Sequence, residues 1–215
     1  FPSHEFNQRI LWLHSKFWHA SVERLTPLLT FAGLDKNRLA MLPEIIKLCD
    51  HCNDYAGLAN RPQIRVSLSP RFNHTIECDH FQHNGINFLL IVDRCFKFKG
   101  GDAVTSTSTE ECIRVLLMWV KTYGPPQHMV TDQGSSLAST ELGSFCDKFN
   151  IRRDFGGADA SRPAQHTATG LVEKSVDLMR HTMNLLVSEA AAIDLDPIPS
   201  ELFSESCIAH NMLLT

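Results

Sequence analysis

Two sets of residues in this 215-residue chain have types and spacings suited to holding metal ions. The first is His14 and His19 with Cys49 and Cys52, the cysteines lying in the run Cys49-Asp50-His51-Cys52. Zinc takes four nitrogen or sulfur ligands in a tetrahedron; a Cys-x-x-Cys knuckle gives two from one tight turn, and a second pair closes the site from elsewhere. Five helical residues part His14 and His19 by about 140° around the axis, so both face one ion only if the helix ends or bends between them. The rival reading makes the cysteines small buried residues and the histidines surface ones. A module too small to build a good core needs a staple, which favours the metal. His51 is assigned no ligand role.

The second set is acidic: Asp79 inside a strand pattern, Asp132 at the end of another, and Glu173 near the start of a helix. Burial is expected at such places, where carboxylates almost never go unpaired, so a divalent cation is the economical partner. Two Mg²⁺ ions about 4 Å apart, held by three carboxylates, activate a water or sugar hydroxyl and stabilise the leaving oxygen at a phosphodiester. Hard oxygen ligands favour Mg²⁺ or Mn²⁺ over zinc. Each acid alone has a plainer role: Asp132 capping the turn TDQGSS, Glu173 facing a helix dipole, Asp79 a strand-edge charge. Their combination with the order of elements around them favours the metal reading.

Those elements are legible. Residues 1–53 read as short helical pieces in a small all-helical module, with Pro43 suited to a helix's first turn. Residues 54–72, with Gly57, Pro62 and Pro70, have linker composition. From His74 the pattern turns to strands: HTIECDHF, then Asn84-Gly85 as a hairpin signal, then INFLLIVD as a strand buried on both faces, then Lys97 to Val104. Ser108 with Glu111 forms a capping box for a largely buried helix through Tyr123, stopped by Gly124-Pro125-Pro126. QHMVTD is a fourth strand, Leu137 to Asn150 a helix, IRRDFG a fifth strand, and 157–169 a small, polar loop. In the next helix Val172, Val176, Met179, Met183 and Leu186 fall on one face, and Glu173, Asp177, Arg180 and Asn184 on a neighbouring stripe. A last helix starts near Ser200. The order is β, β, β, α, β, α, β, α, an α/β class with a five-stranded mixed sheet flanked by helices.

Seven cysteines, of which only two are close in sequence, are not a secreted disulfide framework. No stretch approaches the roughly 18 apolar residues of a membrane span. With Phe as its first residue, the chain is expected to be an excised piece or processed product of something longer. The formal charge of −4, taken alone, argues against a polyanion-holding protein.

With these residues in view, the chain resembles the integrases of retroviruses and LTR retrotransposons. The matching stretches are LHSKFWHASVERL and KLCDHC for a zinc motif, and IECDHF, MVTDQGSSL and TGLVEKSVDLMR for an acidic triad. The resemblance implies a zinc-binding N-terminal domain at 1–53, a linker at 54–72 and a ribonuclease-H-like catalytic core at 73–215. It implies that His14, His19, Cys49 and Cys52 bind one structural Zn²⁺, and that Asp79, Asp132 and Glu173 bind two catalytic Mg²⁺ or Mn²⁺. Lys174 and Arg180 lie where that family's helix contacts DNA ends. The HxxFWHAS wording leans toward retrotransposon elements. Asp132 and Glu173 are separated by forty residues, more than is usual in the family, with the excess in SRPAQHTAT, which also lacks the family's Asn-Pro-Gln wording.

The implied activity is 3′-end processing and strand transfer of retroelement DNA into target DNA by a homo-multimer on double-stranded DNA, with no membrane partner. A polyprotein made in the cytoplasm, action in the nucleus and a further C-terminal domain are implied with it. The alternatives are a nuclease of the same fold, which the zinc module disfavours, and a domesticated or decayed integrase acting as a DNA-binding scaffold, which an intact triad disfavours. His80, His83 and His128 sit near the acids in sequence but read as satisfied structural histidines.

Overall fold

The computed structural model describes residues 4–54, 69–132, 134, 136–155 and 170–212. Most of the linker expected at 54–72 and all of the loop at 157–169 lie outside the described residues. By their contacts, residues up to 54 and 181–197 form one compact unit, and residues 69–180 with 198–212 form another.

In the first unit, α1 (His4–Lys16), α2 (Val22–Phe31), α3 (Lys36–Leu39), α4 (Leu42–Ile46) and α5 (Asp50–Asp54) follow one another. Ile10, Leu42 and Ile45 form its core, with Phe6, Leu13, Val22 and Leu29 against them. Ala20 and Leu25 are buried in the same unit, as are Met183 and Leu185. Local caps add to the packing: the Asp35 carboxylate accepts the Arg38 N–H at 3.0 Å, and Pro43 occupies the first turn of α4, where no donor is needed.

The second unit is built on a sheet of order β3-β2-β1-β4-β5. Its strands are β1 (Thr75–His83), β2 (Ile86–Asp93), β3 (Lys99–Val104), β4 (His128–Thr131) and β5 (Arg152–Phe155). β1 pairs antiparallel with β2, and β2 with β3, while β4 pairs parallel with both β1 and β5. The β1–β2 hairpin closes through Asn84 and Gly85 at φ 47° and 78°, the left-handed pair a two-residue turn needs, and so pairs His83 with Ile86. The parallel strands require crossovers, supplied by α6 (Thr109–Tyr123) and α7 (Thr140–Lys148). β2 is buried from Phe88 to Asp93, as a central strand covered on both faces must be.

One face of the sheet, through Ile76, Cys78, Leu89 and Ile91, packs on Val115, Leu116 and Trp119 of α6 and on Phe145 and Cys146 of α7. On the other face, Phe88 stacks on both Phe81 and Phe203, a residue of α9 (Pro199–Met212), the three rings forming a cluster. The long helix α8 (Gly170–Ala191) buries Val172, Val176, Met179, Met183 and Leu186, the face that its periodicity marks as apolar.

Two local expectations are corrected. The helix expected from Leu137 begins instead at Thr140, because the Ser139 hydroxyl caps it by accepting the Leu142 N–H at 3.2 Å. The Ser108–Glu111 box is half formed. Ser108 accepts the Glu111 N–H, but the Glu111 carboxylate is drawn away to Arg114 and to the Thr105 N–H.

Candidate active site and metal centre

The zinc motif demands a break between His14 and His19, and the chain supplies one. α1 stops at Lys16, and Trp18 and His19 both take left-handed backbone conformations, φ 50° and 55°. Two consecutive non-glycine residues in that region are costly and persist only where surroundings hold them. Here the His19 N–H returns to the His14 carbonyl at 2.8 Å, folding the second histidine back over the first.

The result is a closed set of donors. His14 Nε2 lies 3.1 Å from Cys52 Sγ and 3.3 Å from His19 Nδ1, which lies 3.4 Å from Cys49 Sγ and 3.5 Å from Cys52 Sγ. Zn–N bonds of about 2.0 Å and Zn–S bonds of about 2.3 Å in a tetrahedron make ligand edges of about 3.3–3.8 Å. The observed separations fit that figure or fall slightly inside it. Among the described residues this is the one group of three or more His, Cys, Asp or Glu side chains whose ligand atoms all lie within 4.8 Å of one another.

The groups behind the ligands set their tautomers. His14 Nδ1 sits 3.0 Å from the Ala20 carbonyl, so its proton belongs there and the Nε2 lone pair faces the cluster. His19 Nε2 lies 3.0 Å from Glu189 Oε1, an ion-pair distance whose angle falls short of a well-formed hydrogen bond, and Ser15 donates to the same carboxylate. Burial holds His14 below its ordinary value, which keeps it neutral. Burial, then the neighbouring Cys49, pushes the Cys52 thiol up to about 12, so a cation must displace its proton on binding. His51 Nδ1 lies 2.7 Å from the Ser188 hydroxyl, outside the group of four. Nothing local in the sequence relates Glu189 to residues so far upstream, and only the fold brings it behind His19.

The acidic residues come from three elements. The parallel pairing of β1 with β4 sets Cys78 opposite Thr131, so Asp79 and Asp132 are the next residues along adjacent strands, at the carboxyl end of β4. Glu173 is in the first turn of α8. Burial, followed by the charge of Asp132 and that of Glu173, pushes the Asp79 carboxyl up to about 6, against opposing pulls from the His80 N–H and Arg180. Asp132 and Glu173 are thus near enough for their charges to act on Asp79. The oxygens of the three acids do not all lie within 4.8 Å of one another, and Asp132 Oδ1 accepts the Gly134 N–H at 3.1 Å, the local turn-capping role open to it from the start.

The expected burial of all three is corrected: Asp79 is partly buried, but Asp132 and Glu173 are exposed. Asp132 stands one residue past its strand, and Glu173 lies on the polar stripe beside the apolar face of α8. Lys174 and Arg180 are exposed on the same helix; the Arg180 Nε donates to the Gln82 carbonyl at 3.3 Å, and its guanidinium lies 5.7 Å from the Phe81 ring. His80 contacts Cys112 at 3.4 Å and His128 lies 3.4 Å from Asp154, while His83 is buried, so these histidines have structural surroundings.

One acid was overlooked. Glu77 is fully buried, with one carboxylate oxygen bound by Arg94 and the other accepting the Val172 N–H at 3.0 Å. Strand periodicity offered a signal, because Glu77 is two residues before Asp79 and so shares its face.

Over 92% of its length this chain superposes on a simian T-cell lymphotropic virus intasome structure, solved with a PP2A regulatory subunit, at a TM-score of 0.55 and 22% identity, spanning 66% of that chain. The fold is that of a retroviral integrase. The catalytic core of human T-cell leukemia virus 2 integrase, solved in complex with magnesium, matches 63% of this integrase-like chain and 82% of its own at a TM-score of 0.50 and 19% identity. In sequence, the Gag-Pro-Pol polyprotein of the same virus is 25% identical over 159 residues, 71% of this chain and 10% of the polyprotein. The Pol polyprotein of the Drosophila melanogaster transposon 297 is 22% identical over 150 residues, 68% of this chain and 14% of that protein. The integrase-like chain thus spans about a tenth of the length of these curated relatives. No protein-family model matches it.

Proposed function

We propose that the chain is the zinc-binding and catalytic portion of an integrase that processes the 3′ ends of retroelement DNA and transfers them into target DNA. The observation that carries this reading is that Asp79 and Asp132 stand at neighbouring positions on adjacent strands, beside the open end of β4, with Glu173 in the first turn of α8, on an integrase fold. The donor set fits hard divalent cations: three carboxylates share a field with too little positive charge of their own. Two Mg²⁺ or Mn²⁺ ions, when bound, supply activation of the attacking oxygen and stabilisation of the leaving one.

Asp79, Asp132 and Glu173 would hold these ions, Asp79 and Asp132 from adjacent strand ends and Glu173 from the first turn of α8. Lys174 and Arg180, exposed on the helix that carries Glu173, bind DNA phosphates and fix the scissile bond in line with the attacking group. Two displacements follow in order: water opens a phosphodiester near the element's end, releasing a short 5′-phosphorylated fragment, and the freed 3′ hydroxyl then attacks a target phosphodiester, forming the joining bond and expelling the target strand's 3′ hydroxyl. His14, His19, Cys49 and Cys52 hold one Zn²⁺ whose role is to keep the helical unit folded. The chain acts in the nucleus as a homo-multimer on double-stranded DNA, released from a larger polyprotein.

The test is a strand-transfer assay with Mg²⁺ on short duplexes, run beside Glu173→Gln. Joined products that the substitution abolishes bear the proposal out. Cleavage without joining makes the chain a nuclease, and DNA binding without reaction makes it a scaffold; either overturns it.

A further inference from the structure

Within the second unit, the buried carboxylate of Glu77 belongs to neither metal set. It lies on β1 two residues before Asp79, on the same face of the strand, and is 0% exposed. Its Oε2 accepts the backbone N–H of Val172, the residue immediately before Glu173. That N–H belongs to the first turn of α8, where the helix itself provides no acceptor and the aligned peptide dipoles favour a negative group. Its Oε1 is held by Arg94, whose own backbone N–H donates to the Thr75 carbonyl at 2.9 Å, so the cation is fixed to the same strand. Both oxygens are thus committed to protein donors.

A buried ion pair is a poor way to gain stability, since apolar residues of like volume commonly serve as well or better. What this one does that an apolar pair would not is fix the first turn of α8 at a definite place on β1. We propose that Glu77 is a positioning residue: it ties α8 to β1 through Val172 and so sets where Glu173 stands relative to Asp79. The inference rests on the reading of Asp79, Asp132 and Glu173 as metal ligands. It deepens that reading by naming what holds the third ligand, which comes from a different element than the other two. A supporting partner that orients a ligand is typically worth about ten- to a hundredfold in metal affinity.

The test compares Mn²⁺ binding, by electron paramagnetic resonance on the zinc-saturated chain, with amide hydrogen exchange in the first turn of α8. Glu77→Leu removes the acceptor. It is expected to weaken Mn²⁺ about tenfold or more and to speed exchange at Val172 and Glu173. Glu77→Gln keeps an acceptor oxygen for Val172 and is expected to hold affinity within about threefold of the parent, a rescue that sealing the core alone does not require. Should Glu77→Leu leave Arg94 stranded and unfold the chain, the double substitution Glu77→Leu with Arg94→Leu removes the tie without an orphan cation, and the same loss is expected. Parental Mn²⁺ affinity in a folded acceptor-less variant overturns the inference. If the parent binds no Mn²⁺, the metal reading itself fails, while unchanged exchange at Val172 in the variant separately refutes the tie.

Discussion

At Asp79, protons and metal ions compete for one carboxylate. Its folded value of about 6 stands above its ordinary 3.8, so the folded, metal-free chain disfavours the ionised form. Stability from this group is full below about pH 4 and is lost as pH rises through about 6. A bound cation reverses the preference. Saturating Mg²⁺ is therefore expected to raise the melting temperature more at about pH 7.5 than at about pH 5, and Asp79→Asn to erase both the Mg²⁺ increment and its pH dependence. Equal shifts at both pH values in differential scanning fluorimetry would refute this. At the other centre, Glu189 stands behind His19 rather than among the ligands. Glu189→Ala is expected to weaken zinc about ten- to a hundredfold in competition with a chromogenic chelator, and an unchanged affinity would remove it from the site.

Elements carry these side chains, and their ends matter more than their middles. The αL pair at Trp18 and His19 ends α1 where the convergence of His14 and His19 on Cys49 and Cys52 requires it, and the Ser139 cap decides where α7 starts. Ser139→Ala is expected to cost about 1 kcal/mol in urea unfolding of the chain; a loss near zero would mean that the cap is redundant. α8 serves two purposes along its length. Its first turn bears Glu173, and its second half, including Ser188 and Glu189, packs within the helical unit. Stripping zinc with a chelator should therefore speed amide exchange at residues 181–191 as well as in α1 and α5. Exchange confined to the first fifty residues would show that this half of α8 does not depend on the metal. Most of these elements were legible, because periodicity and turn chemistry are local: the Asn84-Gly85 hairpin and the apolar face of α8 appear as read. The start of α7 was not, since an apolar Leu137 preceding a good cap looks like the helix itself.

Across the whole molecule the charge is divided. Residues 1–66 hold eight Lys and Arg against six acids, a net of +2, while residues 67–215 hold twelve against eighteen, a net of −6. Under the proposed function, polyanion binding by so acidic a half needs metal to offset the repulsion. The metal-free chain is expected to bind duplex DNA weakly and with a shallow salt dependence, and Mg²⁺ to strengthen binding; tight, steeply salt-dependent binding without metal, measured by fluorescence anisotropy, would contradict this. The amino-acid sequence by itself determined the order of strands and helices, the four zinc-ligand candidates and the three acids, because each rests on residue type and short-range spacing. The tertiary structure alone decided that His14 and His19 converge, that Asp132 and Glu173 are exposed, and that Glu77 and Glu189 stand behind functional groups. Glu77 and Val172 are 95 positions apart and His19 and Glu189 further still, and such partners meet only through strand pairing and packing; the turn that brings His19 over His14 is a backbone conformation that residue type alone does not announce.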